Sequence, residues 1–314
     1  MVDAEVPTGD ITAEYRLIRS GVGSASGHHR LIRVYGSDAV SFLQGLLSQD
    51  LESMASGTVQ RSFFLQPNGK LAALLWVGVG ADEVVLFCDS NVAIETEALL
   101  RRYRIRVNAD IELDERGVDE LWGPAAFTTA RVDSGQWRRE GDSIVLAAAV
   151  GRLPRVFVVG KGRMAPPVGR RATTAVRVEA GEPVMGIDVD TSTIPQECGF
   201  IDESVSFTKG CYLGQELVAR IDTRGHVNRW LAGIRILTNT VPPQGAEIAS
   251  GGKIVGTFTS PSESLTLRSP IGLSLIRREV APGDQVDVRW TFDGEPRTVV
   301  GSVHKLPMDD FTDT

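Results

Sequence analysis

The spacing of apolar residues changes period part-way along this chain, and that change limits the folds open to it. Before about residue 115, two-residue alternation trades places with helical spacing. "RLIRVYG" (30–36) alternates as a strand does. "SDAVSFLQGLLSQDL" reads as a helix, with Ser37 as N-cap and Val40, Leu43, Leu46 and Leu47 on one face. "RSFFLQPNGKLAALLWVGVGADEVVLFCD" reads as two strands joined by a turn, with another turn before them at Pro67-Asn68-Gly69. "NVAIETEALLRRY" has helical spacing, and "RIRVNADIELDE" returns to strand. This order, strand-helix-strand-strand-helix-strand, is that of an α+β unit on an antiparallel sheet. "SIVLAAAV" and "RVFVVG" place strands within 116–175 and fit a second, smaller α+β unit. After the Pro/Gly break "VPPQGAEI" (241–248), helical spacing stops. "GKIVGTFTS", "IGLSLIRRE", "DQVDVRW" and "RTVVGSVHKL" are short strands between turns, the pattern of a small all-β barrel or sandwich.

Bulk properties narrow the function classes. A chain of 314 residues holds about two or three domains. The net charge of -7 argues against generic polyanion binding, so strong direct nucleic-acid binding is not expected. No apolar run approaches the roughly 20 residues of a membrane helix, so no membrane partner is expected. "MVDAEVPTGDITAEY" is acidic and lacks an apolar core; it reads as a partly ordered lead-in, not as a secretory or transit signal. The three cysteines Cys88, Cys198 and Cys211 are widely spaced, which fits a reducing cytoplasm better than a disulfide framework. Without a C-x-x-C or C-x-x-H pair, a closed zinc site is not expected.

The densest chemistry lies in "FTKGCYLGQELVAR" (207–220). "SVSF" before it is strand-like and "CYLGQELVARI" helix-like, so Cys211 is expected near a helix N-terminus beside Lys209, both of which favour thiolate. The same features suit a small buried cysteine next to a tight turn, and local chemistry leaves both readings open. Glu216 and Arg220 are spaced to pair along a helix face. Arg220, Arg224 and Arg229, together with Arg102, Arg104 and Arg106 on one strand face, are candidates for an anion patch or for a solvated surface.

The K-G-C-Y-x-G-Q-E core at Lys209, Gly210, Cys211, Tyr212, Gly214, Gln215 and Glu216 resembles the signature of the YgfZ-like folate-binding proteins, relatives of the glycine-cleavage T-protein. "RVEAGEPVMGIDVDTSTIPQE", "DAVSFLQGLLSQDL" and the C-terminal strands agree in the same order, so the resemblance spans roughly residues 28–306. It implies two α+β units of the aminomethyltransferase folate-binding type around a central channel, plus a C-terminal β-barrel. The divisions are a lead-in at 1–27, units at 28–115 and 116–230, and the barrel at 231–314. It implies a tetrahydrofolate-type ligand in the channel, and a role supporting iron–sulfur client proteins, tRNA-modifying ones included. It places Cys211 as the working thiol and Glu179 on the pterin edge, where a carboxylate accepts two N–H bonds. Lys209, Tyr212, Gln215, Glu216 and Arg220 join the ligand set, and His29 falls where an aromatic stacks on folate in some relatives. One departure separates the relatives. The T-protein segment G-G-x-x-D-D-L reads "NGKLAAL" here, so Ala72 and Ala73 replace acids. A methyl group can neither take a proton nor steady a cation, and glycine-cleavage activity is not expected. The alternative is one-carbon transfer to folate from an unknown amine, with an acid such as Glu197 standing in.

Overall fold

The computed structural model describes residues 10–150 and 153–308, with the side chains of residues 149, 150 and 224 outside that description. Helix α1 (Ile11–Ser20) starts at Asp10, whose carboxylate accepts the N–H groups of Thr12 and Ala13. Strand β1 (Gly23–Ser26) follows. Residues 11–26 are therefore built structure and not a loose lead-in: α1 packs on a later helix, and β1 forms an edge of the second sheet.

The first sheet contains β2 (His29–Tyr35), β3 (Thr58–Leu65), β4 (Leu71–Val79), β5 (Glu83–Asp89) and β6 (Asp110–Leu113), in the order β3-β4-β5-β2-β6, all antiparallel. Helices α2 (Ala39–Gln44) and α3 (Ala93–Tyr103) cover one face. Helix α2 is shorter than the sequence pattern implies, and its N-cap is Asp38, not Ser37. It stops because the Gln44 side chain turns to bond Asp50 and the Leu51 N–H, which fixes a turn in place of further helix. Arg102 lies in α3, Arg104 follows it, and Arg106 has φ 55° in a loop, so the three do not share a strand face.

The second sheet adds β7 (Val118–Trp122), β8 (Trp137–Glu140), β9 (Ser143–Val150) and β10 (Leu153–Val159), in the order β1-β7-β10-β9-β8. Helix α4 (Ala126–Ala130) covers its outer face with Leu121, Val156 and Val158, whereas α5 (Arg170–Ala180), with α1 against it, packs with Ala25, Trp122 and Leu153 at one end of the face that bears Phe157. Side chains alternate along a strand, so the rest of that face is left to meet the first sheet. Leu31, Val85 and Phe87 of the first sheet meet Val118, Leu146 and Phe157 of the second in one buried cluster.

Between the second sheet and the C-terminal unit run a 3₁₀ turn (Pro195–Glu197), α6 (Ile201–Ser204) and α7 (Gln215–Arg224). The C-terminal unit is a curled sheet of β11 (Arg229–Ile236), β12 (Glu247–Ser250), β13 (Lys253–Thr257), β14 (Thr259–Ser264), β15 (Ser269–Arg277), β16 (Gln285–Phe292) and β17 (Glu295–His304). Its order is β13-β12-β16-β17-β11-β15-β14, and β13 comes back into contact with β15, so the sheet forms a half-barrel around Ile234, Ile248, Phe258 and Val288. The whole is the aminomethyltransferase fold, with two α+β units and a C-terminal β-domain as the sequence implies.

Candidate functional site

The inner faces of the two sheets are apolar over most of their contact and ionic at one end. Strand register puts the charges there. His29 is the cross-strand partner of Asp89, Arg61 of Trp76, and Arg155 of Trp122, and Glu120 sits opposite Phe157. The result is a chain of alternating charge through the protein interior. His29 Nδ1 lies 2.8 Å from Glu120 Oε1, and its Nε2 lies 3.7 Å from Asp89 Oδ1. Arg155 reaches Glu120 at 3.8 Å and donates to Glu182 at 2.7 Å. All of these groups are buried. Burial alone would lower the pKa of His29, but the Glu120 carboxylate outweighs it and raises it. Burial works the other way on Glu120 and Glu182, and there the neighbouring cations win and hold both carboxyls below their usual range. Asp89 is raised, because burial exceeds what His29 returns.

Arg61 ends the chain. Its guanidinium lies between two aromatic rings, 4.4 Å from the Trp76 centroid and 4.5 Å from that of Phe200. Its nearest carboxylate oxygens are Glu182 Oε1 at 3.5 Å and Glu203 Oε2 at 3.6 Å, both beyond good hydrogen-bond length. Arg61 and Glu182 together line two adjoining cavities. The larger, of about 500 Å³, opens between the α5–Glu182 segment and the half-barrel, with Phe200, Trp230, Leu231 and Leu306 as apolar walls. The smaller, of about 20 Å³, lies behind Arg61 and contains His29, Asp89 and Trp76 in its lining. Among the described residues, Glu182 Oε2 and Arg61 Nε have no hydrogen-bond partner although both are buried. Partnerless polar atoms in an interior are costly, so a cavity floor bearing one acceptor and one donor fits a flat polar ring better than an apolar one.

The cysteine motif lies elsewhere. Cys211 is exposed and lines neither cavity. Helix α7 begins at Gln215, so Cys211 precedes it by a full turn and does not sit at its first residue; "SVSF" holds the last residue of α6 and irregular chain after it, not a strand. Gly214 caps α7 with φ 79°, and a Cβ there would meet the Gln66 carbonyl oxygen at 2.5 Å, so backbone contact with the β3–β4 turn explains this glycine. The Lys209 ammonium does not face the thiol. It donates to the carbonyls of Gln44, Leu47 and Gln49 at 2.7, 2.8 and 2.8 Å, which ties the motif to the end of α2. Burial lowers the Lys209 pKa to about 8. The Gln215 side chain accepts the Tyr212 N–H, and Tyr212 packs against Phe63 and Val218. Glu216 and Arg220 are exposed.

Of the expected site residues, the structure brings only His29 to the cavities, behind Arg61 and stacked on Phe157 at 4.8 Å. Glu179 lines neither cavity. Its carboxylate accepts a 2.6 Å bond from the Tyr15 hydroxyl and pairs with Arg19, holding α1 to α5. Glu182, three residues on and past the left-handed turn at Gly181, reaches the cavity instead. Glu197 is gripped by Arg229 through two 2.9 Å bonds and accepts the Ile194 N–H, so it is a pin and not a spare acid. With Arg229 so paired, the expected anion patch does not assemble; the side chain of Arg224 lies outside the description. Arg61, Glu182, Arg155, Glu120, Trp76 and Phe200 were not singled out by sequence. The available signal was a lone charge inside otherwise apolar strands, as in "TVQRSFFL" and "LPRVFVV".

Residues 229–308 match the model of the glycine cleavage T-protein C-terminal barrel domain. The chain is 29% identical over 325 residues to an aminomethyltransferase of Frankia alni, covering 92% of this chain and 87% of that protein. It is 26% identical over 313 residues to one of Thermoanaerobacter pseudethanolicus, covering 88% and 84%. An uncharacterized protein of Haemophilus influenzae is 27% identical over 252 residues, covering 74% and 81%. The crystal structure of the glycine cleavage system aminomethyltransferase T from Bartonella henselae superposes with a TM-score of 0.82 at 20% identity, over 95% of this chain and 89% of that one. No helix among the described residues is long and apolar enough to cross a membrane.

Proposed function

We propose that this protein binds a tetrahydrofolate-type ligand in the cavity floored by Glu182 and Arg61, and that it serves as an accessory factor for iron–sulfur cluster assembly or repair, tRNA-modifying clients in the cytoplasm included. One observation carries the ligand: a buried acid and a buried guanidinium, Glu182 and Arg61, line an apolar-walled space of about 500 Å³. The amino-pyrimidine edge of a pterin offers N–H donors to Glu182 and an oxo acceptor to Arg61. The apolar walls suit its reduced ring and the aryl group beyond. The similarity to aminomethyltransferases over most of the chain supports a folate ligand of this kind. The client class rests on the K-G-C-Y-x-G-Q-E motif and on an exposed Cys211, which a partner protein can reach.

One-carbon transfer is the second reading, favoured by the aminomethyltransferase relatives. Against it, Ala72 and Ala73 are buried in the apolar cluster beneath α2 and α3, and Glu197 is held by Arg229. Chain acids that line the larger cavity are Glu182 and Glu203, with Asp89 and His29 lining the smaller one behind Arg61. Anaerobic calorimetry with tetrahydrofolate tests the ligand assignment. Glu182→Gln turns one acceptor oxygen into a donor and is expected to weaken binding at least tenfold, about 1.4 kcal/mol. Equal affinity in the two proteins sinks the Glu182 assignment, and no binding to the unmutated protein sinks the folate reading.

A further inference from the structure

Arg61 has a feature that a purely structural arginine lacks. A buried arginine normally places its fork on carboxylates or carbonyls within 3 Å, as Arg155 does on Glu182 at 2.7 Å. The Arg61 side chain is only 9% exposed, yet its nearest carboxylate oxygens stand at 3.5 and 3.6 Å. The Trp76 and Phe200 ring centroids lie 4.4 and 4.5 Å from the guanidinium carbon, and these contacts hold the group without using its N–H donors. One of those carboxylates, Glu203, has a side chain 69% exposed, so it is a weak competitor for the fork.

Building on the folate reading, we infer that Arg61 is the specificity residue of this cavity: a clamped donor that accepts ligands carrying a ring oxygen beside their amino-pyrimidine edge and rejects those carrying an amino group there. The exocyclic oxygen of a pterin accepts from the guanidinium. An amino group in its place points N–H donors at N–H donors, and because the rings clamp Arg61 it cannot turn away. The discrimination arises from a buried polar group left unpaired beside the wrong ligand, which is a larger penalty than a loss of apolar contact. Glu182 accepts from the 2-amino group, which both ligand types carry; the N3–H goes with the oxo group, so a bond from it to Glu182 adds to the discrimination that Arg61 makes.

The test is anaerobic calorimetry of the whole protein with two probes, tetrahydrofolate and tetrahydroaminopterin, which differ by the oxo-to-amino exchange and the N3–H that goes with it. The unmutated protein is expected to prefer tetrahydrofolate by at least tenfold. Arg61→Gln, whose amide both donates and accepts, is expected to reduce the preference at least threefold, and Glu182→Gln is expected to weaken both ligands at least tenfold while leaving the share of the preference that Arg61 supplies. Should Arg61→Gln fail to fold, Arg61→Lys, which keeps a donor, is expected to keep the preference for the oxo ligand. Equal binding of the two probes by the unmutated protein overturns the role of Arg61 and leaves the folate reading standing. Binding of neither probe overturns both.

Discussion

Two regions of this protein handle charge in opposite ways. In the interlayer, His29, Glu120, Arg155 and Glu182 are buried and joined into one chain, and each ion is tolerable only because its neighbour is there. In the Lys209–Glu216 motif, one ammonium is taken into the protein to hold three backbone carbonyls, while Cys211 and Glu216 stay in solvent. The first region is assembled from three strands and a loop far apart in sequence; the second is a single stretch of chain. What looks most like an active site in the sequence is thus a tethered stretch away from the two cavities, and scattered residues supply the charges in and beside them.

That contrast can be broken from either side. The largest effect belongs to the interlayer. Arg155→Met removes the shared cation and leaves Glu120 and Glu182 facing each other's charge, and is expected to cost about 3–5 kcal/mol, read as a shift in the urea midpoint. A loss under about 1 kcal/mol would mean that the chain is hydrated and behaves as a surface pair. Lys209→Met comes next. It leaves the carbonyls of Gln44, Leu47 and Gln49 without their donor and is expected to cost about 1.5–3 kcal/mol. Hydrogen exchange should rise first in the segments 44–49 and 207–213, since these are the pieces the ammonium joins. Unchanged exchange there would mean that the ammonium does not tether these segments. The smallest effect belongs to the thiol. Cys211→Ser is expected to shift stability by less than about 0.5 kcal/mol, as at other exposed positions. A thiol reagent should modify one cysteine in the native unmutated protein and none in this variant, because Cys88 and Cys198 are buried and burial raises both thiols further out of the reactive range. A second cysteine reacting at native rates would mean that the interior opens.

Much of the architecture was legible beforehand. The alternation of "RLIRVYG" marks β2, the apolar run in "EVVLFCD" marks β5, the helical spacing of "NVAIETEALLRRY" marks α3, and the short strands after residue 241 mark the half-barrel, because local patterning reports which faces meet a core. Element ends were less legible. Helix α2 stops where the Gln44 side chain bonds a turn that follows it, and the stretch 102–106 leaves strand geometry because α3 runs on to Tyr103. Both outcomes depend on contacts that propensity does not contain.

The sequence by itself determined that this chain makes α+β units and a small β-domain, that it carries an intact K-G-C-Y-x-G-Q-E motif, and that it lacks the acidic pair at Ala72 and Ala73. Each of these is a local property: a period, a string of residues, a replaced side chain. Only the tertiary structure decided that Glu182 and not Glu179 reaches the cavity, that Glu197 is held by Arg229, and that Arg61 lies clamped between Trp76 and Phe200. The physical reason is that a carboxylate's role is set by which cation or hydroxyl lies within about 3 Å of it, and here those partners come from α1, from the half-barrel and from the facing sheet.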